Sequence, residues 1–361
     1  MKKSILTDLY PEGAAFAEVN ACEVPTRFAD TKAEYEVFRH GVALVDGIGY
    51  AILKLEGENV IEEVDAYVTK DIRYLNSGKI AECFFLNENA EALGLAYVCN
   101  DDDTVVLLVP PENAAAVTAW VQEKLGDCVK ISDMTQDNHL IFMEGEKSWK
   151  VAKEIFDFPI ETLPLRDMVR VDFASEKIML SRIGRSGEYG YAMLGSNDAI
   201  HKLAEALLND YSLTWCGTDA LDVCMVEVNQ PIINEATVKQ ANLLEMGYQW
   251  FVQFDKEEYC GRDVLMEQFE QKLEKSCVGF VAANASEIPD GSEVYLEDEA
   301  VGKVVYSKFD PALNGVLGYL LLEARVAVSG IPLTVKAGGD VAVVTVSSPF
   351  VRPLSWDSQM E

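Results

Sequence analysis

Glycines recur at every third position in Ser181-Arg182-Ile183-Gly184-Arg185-Ser186-Gly187-Glu188-Tyr189-Gly190-Tyr191, with two guanidinium groups and a carboxylate set among them. The spacing is neither the dinucleotide fingerprint nor a P-loop, which also needs a Lys-Ser/Thr pair. What remains is a tight turn whose backbone can approach a flat ligand closely, flanked by charges. An ordinary hairpin turn is the local alternative. Glu227 and Glu245 lie within apolar runs, Met225-Val226-Glu227-Val228 and Leu243-Leu244-Glu245-Met246. A carboxylate so placed is paired, accepts N–H groups, or faces solvent. Metal chemistry has little support. The three histidines, His40, His139 and His201, are each more than four residues from any cysteine, and the eight cysteines form no C-x-x-C pair. Most of the cysteines sit in apolar contexts and read as small buried hydrophobes.

The elements that must carry these groups follow from periodicity and turn chemistry. Helices are expected over Glu34–His40, Asn59–Val68, Glu112–Leu125, Lys147–Phe156, Asp198–Asn209 and Thr218–Val226. Pro111 stands near the start of the third, where proline is favoured. Strands are expected at Val42–Val45, Ala51–Leu55, Ile80–Leu86, Leu140–Met143, Val169–Phe173 and Ile178–Arg182, with a hairpin joining Leu95–Cys99 to Thr104–Val109. Trp250-Phe251 reads as a strand leading through an acidic turn to a helix start at Gly261-Arg262. From Cys277 onward short strands alternate with Gly and Pro turns, which suggests a small barrel or sandwich. The chain is therefore α+β followed by all-β, with domains expected at 1–272 and 273–361.

The 361 residues carry 30 Lys+Arg against 60 Asp+Glu, a formal charge of −30. Such a surface repels phosphate backbones and anionic lipid headgroups, so nucleic-acid and membrane roles are disfavoured. No apolar run of signal-peptide or membrane-spanning length is present, and scattered thiols fit a reducing, cytoplasmic setting.

Taken in order, several stretches resemble the glycine-cleavage T-protein (aminomethyltransferase) superfamily of folate-dependent enzymes. Val42-Ala43-Leu44-Val45-Asp46 is similar to the family's "V-G-L-F-D", Val68-Thr69-Lys70-Asp71-Ile72 to "V-T-N-D-V", and Met143-Glu144-Gly145-Glu146-Lys147 to "L-Q-G-P-K". The glycine-rich stretch follows "R-T-G-Y-T-G-E-D-G-Y", the most specific match. Leu244-Glu245-Met246-Gly247 with Trp250 follows "E-A-G-L-x-W". The resemblance implies two related α+β subdomains and a terminal β-barrel around a central channel that holds tetrahydrofolate. It further implies that Glu188 accepts the pterin's N–H edge, that Glu245 and Trp250 line the channel wall, and that Arg182 and Arg185 form a local positive lining.

Two departures bear on the chemistry. The family's "G-G-x-I-D-D" turn, whose first Asp positions the folate nitrogen, falls where this chain has Gly94 and Leu95. "L-R-L-E" becomes Cys224-Met225-Val226-Glu227, so an arginine is missing. Candidate proton donors near the vacated turn are Tyr97, Glu82 and Glu91, and Tyr50 could pack against the pterin or the donor. The leading reading is a tetrahydrofolate-dependent methyltransferase or demethylase acting on a small methylated donor. The alternatives are an aminomethyltransferase that works with a lipoyl carrier protein, or a non-catalytic folate-binding homologue. The resemblance implies an acidic carrier, which a chain of charge −30 would repel, so the charge favours a small free substrate.

Overall fold

The computed structural model describes residues 1–234, Thr237 and residues 240–360. A hairpin, β1 (Ala15–Val19) and β2 (Cys22–Arg27), precedes α1 (Thr31–His40), β3 (Ala43–Asp46), β4 (Ala51–Glu56) and α2 (Val60–Asp65). Next come β5 (Ile80–Leu86), β6 (Ala92–Asp101), β7 (Thr104–Val109), α3 (Pro111–Leu125) and β8 (Lys130–Asp133). They lead to β9 (Asn138–Glu144), α4 (Ser148–Ile155), β10 (Met168–Phe173), β11 (Glu176–Ser181), β12 (Gly190–Ser196), α5 (Asn197–Asn209), β13 (Thr214–Trp215), α6 (Thr218–Glu227) and α7 (Arg262–Glu270). Six strands follow: β14 (Lys275–Ala283), β15 (Glu293–Leu296), β16 (Glu299–Asp310), β17 (Gly315–Glu323), β18 (Pro332–Lys336) and β19 (Asp340–Val346).

Two sheets share the first part of the chain. One is five-stranded and antiparallel, in the order β5-β6-β7-β4-β8; the other has six strands, β10-β11-β12-β9-β3-β13, with β13 parallel to β3. They are interleaved, because β3 belongs to one sheet and its successor β4 to the other. Each covers one face with its own helices. Leu53, Leu107 and Val117 pack beneath α2 and α3, while Ile141, Met193 and Leu203 pack beneath α4 and α5. The opposite faces meet. Ile52, Tyr97 and Leu108 from the five-stranded sheet share a core with Phe142, Met179 and Leu194 from the other, closed by Phe38 of α1 and Leu221 of α6.

The C-terminal strands form a closed barrel, β14-β17-β16-β15-β18-β19, so no sheet edge is left open there. The short strands expected from Cys277 onward are present, the first beginning at Lys275. Their apolar side chains, Phe280, Val304, Leu320 and Val335 among them, fill the interior. The chain beyond β19 leaves the barrel and returns to the sheets: Phe350 N donates to Glu227 O at 2.7 Å and Tyr189 Oη donates to Ser358 O at 2.7 Å.

Two local expectations change. The helix expected over residues 59–68 stops at Asp65, because the buried Lys256 ammonium takes the carbonyls of Asp65, Val68 and Lys70 at 2.5–3.0 Å and bends the chain around itself. Trp250-Phe251 is not a strand but part of a 3₁₀ turn, Gln249–Phe251, which follows a left-handed Gly247 (φ 78°).

α3 lies hard against β6 at Gly94. A Cβ built there would stand 2.5 Å from Asn113 Cβ and 2.9 Å from Val117 Cγ2, so any side chain forces strand and helix apart. Gly94→Ala is expected to lower unfolding free energy by about 1–3 kcal/mol through overpacking, read as a lower urea midpoint at unchanged m-value.

Candidate active site

Glu82 and Tyr97 are direct cross-strand partners on β5 and β6, with Leu95 and Phe84 one pair further along the same face. That face borders two adjacent hollows with shared lining residues, an outer and an inner lobe. The outer lobe, about 450 Å³, is bounded by the Arg182–Gly190 turn, Arg166, and Trp356 of the returning tail. An inner lobe of about 90 Å³ is bounded by Arg185, Asp222 of α6, and Tyr306 of the barrel. Glu82, Tyr97 and Gln230 border both. The cavity thus sits where the two sheets and the barrel converge.

The glycine-rich turn is shaped by a carboxylate beneath it. Glu144, at the end of β9, accepts Arg185 N at 2.9 Å and Ser186 N at 2.8 Å on Oε2. Its Oε1 is buried without a partner among the described residues. Burial pushes this carboxyl above the usual carboxylate range, although the two N–H groups pull it down.

A second buried network anchors the turn's far end. Arg39 of α1 donates from Nη1 to Glu188 Oε1 and to Ser186 O, both at 3.0 Å, and from Nη2 to Glu227 Oε2. Tyr35 Oη donates to Glu227 Oε1 at 2.7 Å. Burial raises the Glu227 carboxyl despite the arginine beside it. Glu188 is further bonded by the tail: Leu354 N reaches Oε1 at 3.1 Å, Ser355 N reaches Oε2 at 2.9 Å, and the Ser355 hydroxyl also donates to Oε2. Four donors fill a carboxylate's four acceptor sites. In this structure the chain's own donors occupy the carboxylate edge that the resemblance assigns to a pterin.

The other expected site residues divide. Arg182 borders the outer lobe, where its Nη1 donates to Leu163 O at 2.7 Å and its guanidinium lies over the Tyr189 ring. Arg185 enters the inner lobe. Tyr50 is buried behind it, its ring against Phe142 and its hydroxyl accepting from Arg185 Nη1 at 3.4 Å. Glu91, Glu245 and Trp250 do not line this cavity. Glu91 is exposed and accepts from Asn87 Nδ2 at 2.6 Å. Glu245 caps a turn, accepting Asn242 N at 3.0 Å, and lines a separate hollow with Glu91. Trp250 is 49% exposed beside Tyr248. The 3₁₀ turn, in place of a strand, directs its indole outward.

Glu82 is 4% exposed; Arg166 Nη2 donates to its Oε2 at 2.8 Å, and Oε1 takes no hydrogen bond from the described residues. Burial, and then the Glu82 charge, raise the Tyr97 phenol well above its ordinary value, so its hydroxyl stays protonated near neutral pH. Arg39, Arg166, Asp222 and the tail residues escaped the sequence reading. Arg39 alone left a trace, since it shares the apolar face of α1 with Tyr35 and Phe38.

Residues 7–256 match the family model described as the GCVT N-terminal domain, well over half of the chain. The chain belongs to the GCVT family. An aminomethyltransferase of Bacillus subtilis (strain 168) is 25% identical over 98% of this chain and 99% of its own. One of Alkaliphilus oremlandii (strain OhILAs) is also 25% identical, over 93% of each. The crystal structure of glycine cleavage system aminomethyltransferase T from Bartonella henselae superposes with a TM-score of 0.88 at 20% identity, covering 98% of both chains, which establishes the shared fold. Among the described residues no helix is long and apolar enough to cross a membrane.

Two outcomes follow. Arg39→Met strands Glu188 and Glu227 without their cation and is expected to cost about 3–5 kcal/mol in a denaturant titration. Glu144 has its folded pKa raised above the unfolded value, so the stability tied to its proton is full below the unfolded pKa and lost as pH rises through the folded one. The urea midpoint of Glu144→Gln relative to the native chain should accordingly increase between pH 4 and pH 8.

Proposed function

We propose that this GCVT-family chain is a tetrahydrofolate-dependent transferase of a carbon borne on an amine nitrogen, with Glu82 supplying the carboxylate that Gly94 and Leu95 lack. The observation that carries this is the Glu82–Tyr97 pair at the junction of the two lobes. Leu95, on the same face as Tyr97, is the position at which an acid would reach the cavity from β6. Glu82 reaches it from the adjacent strand, one cross-strand pair away, and is longer by one methylene. Gly94 cannot take that part because it faces Asn113.

The donor set fits the cofactor. The outer lobe has the size of a small-molecule site, the Trp356 and Tyr189 rings suit a flat heterocycle, and Arg166 and Arg182 suit an anionic tail. Ser358 Oγ borders the same lobe, buried and without a partner among the described residues. When bound, tetrahydrofolate supplies the nitrogen nucleophile that accepts the carbon. The chain's own part is to orient and to move a proton. Glu82 Oε1 can accept an N–H or take its proton, Arg166 fixes Glu82 from behind, and Tyr97 can donate to a leaving heteroatom. The likeness to aminomethyltransferases supports an aminomethyl donor ahead of a simple methyl donor, and by the same likeness a lipoyl carrier is the partner to try first.

The test is calorimetric titration with tetrahydrofolate followed by turnover with amine-borne carbon donors, the aminomethylated lipoyl carrier and N-methylated amines. Saturable binding and a one-carbon folate product are expected. Absence of either overturns the reading. Glu82→Gln should reduce turnover about 10²–10⁴-fold while tetrahydrofolate still binds; an unchanged rate would remove Glu82 from the chemistry.

A further inference from the structure

Arg185 is held in the inner lobe with most of its hydrogen-bonding capacity unspent. Its side chain is 15% exposed, and Nη2 stands 4.0 Å from Glu112 Oε1, too far for a hydrogen bond. Among the described residues its guanidinium makes one side-chain hydrogen bond, the long 3.4 Å contact to Tyr50 Oη. A guanidinium has five donors in a planar fork that matches a carboxylate. Those donors face the lobe, open to water or to a ligand.

Across the lobe the situation is reversed. Asp222 Oδ2 is engaged by Tyr306 Oη at 3.1 Å and by Lys308 Nζ at 3.0 Å, and Glu82 Oε2 by Arg166. Their second oxygens, Asp222 Oδ1 and Glu82 Oε1, accept nothing from the described residues. The lobe therefore sets an unspent cationic fork against two unspent anionic acceptors. Glu82 and Asp222 each have their own cation outside the lobe, and Arg185 has Glu112 nearby, so the lining is close to charge-balanced. A lone anion or a lone cation would upset that balance; a zwitterion would not. The size is selective as well. About 90 Å³ is the room of about three water molecules, and Leu95, Met225 and Ile232 add apolar surface to its wall.

We propose that the inner lobe is a binding site for a small free α-amino acid, its carboxylate on the Arg185 fork and its ammonium directed at Asp222 and Glu82. This rests on the reading of the cavity as a folate-dependent transferase site and adds the class of small molecule that meets the cofactor there. A carboxylate on Arg185 could also come from the glutamate tail of the cofactor itself, so the test must separate the two sources.

The full-length chain is titrated calorimetrically with glycine and N-methylglycine, with acetate and methylamine as single-charge controls, in the presence and absence of tetrahydrofolate. Saturable binding of the amino acids is expected, with both controls at least about tenfold weaker. Arg185→Met should weaken amino-acid binding at least about tenfold, and Arg185→Lys, which keeps the charge but not the fork, should recover part of the loss. Thermal melts of both variants confirm that they fold. The proposal is overturned if neither amino acid binds, if acetate binds as well as glycine, or if Arg185→Met leaves amino-acid affinity unchanged. It is also overturned if that variant weakens tetrahydrofolate but not tetrahydropteroate, which lacks the glutamate. Folate binding without amino-acid binding defeats this proposal alone; amino-acid binding without folate binding defeats the functional reading and leaves the site.

Discussion

One buried guanidinium holds the architecture of the site together. Arg39 comes from the first helix, yet its three acceptors lie on the glycine-rich turn and at the end of α6. Through Glu188 the same network reaches the C-terminal tail. Four segments remote in sequence are thereby fixed to one another by charge-assisted bonds in a dry interior. The desolvation cost of three ions is large, and such clusters return little net stability compared with apolar packing. What this one provides is geometry, since the outer lobe exists only while the turn, α6 and the tail keep their spacing.

On the proposed reading, the scaffold keeps a chemical group while moving the residue that carries it. Close packing of α3 on β6 demands a glycine at 94, and Leu95 presents an apolar side chain to the lobe. The carboxylate reaches the same space from the neighbouring strand, where Arg166 accompanies it. A ladder permits such exchange because cross-strand partners on one face project into a common volume. The pairing of Glu82 with Tyr97 places an acceptor and a donor side by side without any loop to position them.

Much of this was legible in the sequence, and the remainder has identifiable physical causes. Strand alternation and turn residues located every barrel strand and most strands of the two sheets, though not β8, β12 or β13, because burial on one face writes a local period. The glycine-rich turn announced itself by composition, and Arg182, Arg185, Glu82 and Tyr97 do meet at one cavity. Glu91, Glu245 and Trp250 do not join them, since a one-residue change in local backbone state redirects a side chain and no period records it. The short α2 was unreadable for a related reason: the cation that ends it, Lys256, lies almost two hundred positions away. Arg39 was hidden by its type, because an arginine in an amphipathic helix is ordinarily read as solvent-facing.

The tail has a thermodynamic consequence. Two consecutive backbone N–H groups, of Leu354 and Ser355, sit on the two oxygens of Glu188, the same arrangement of parallel donors that a heterocyclic amide edge would bring. The protein therefore carries its own competitor, covalently attached and held at a high local concentration. Any molecule that uses Glu188 binds only the fraction of chains in which the tail has lifted, and its observed dissociation constant is the intrinsic one divided by that fraction. Affinity at this edge is then set as much by the grip of Leu354 and Ser355 on their own carboxylate as by the ligand.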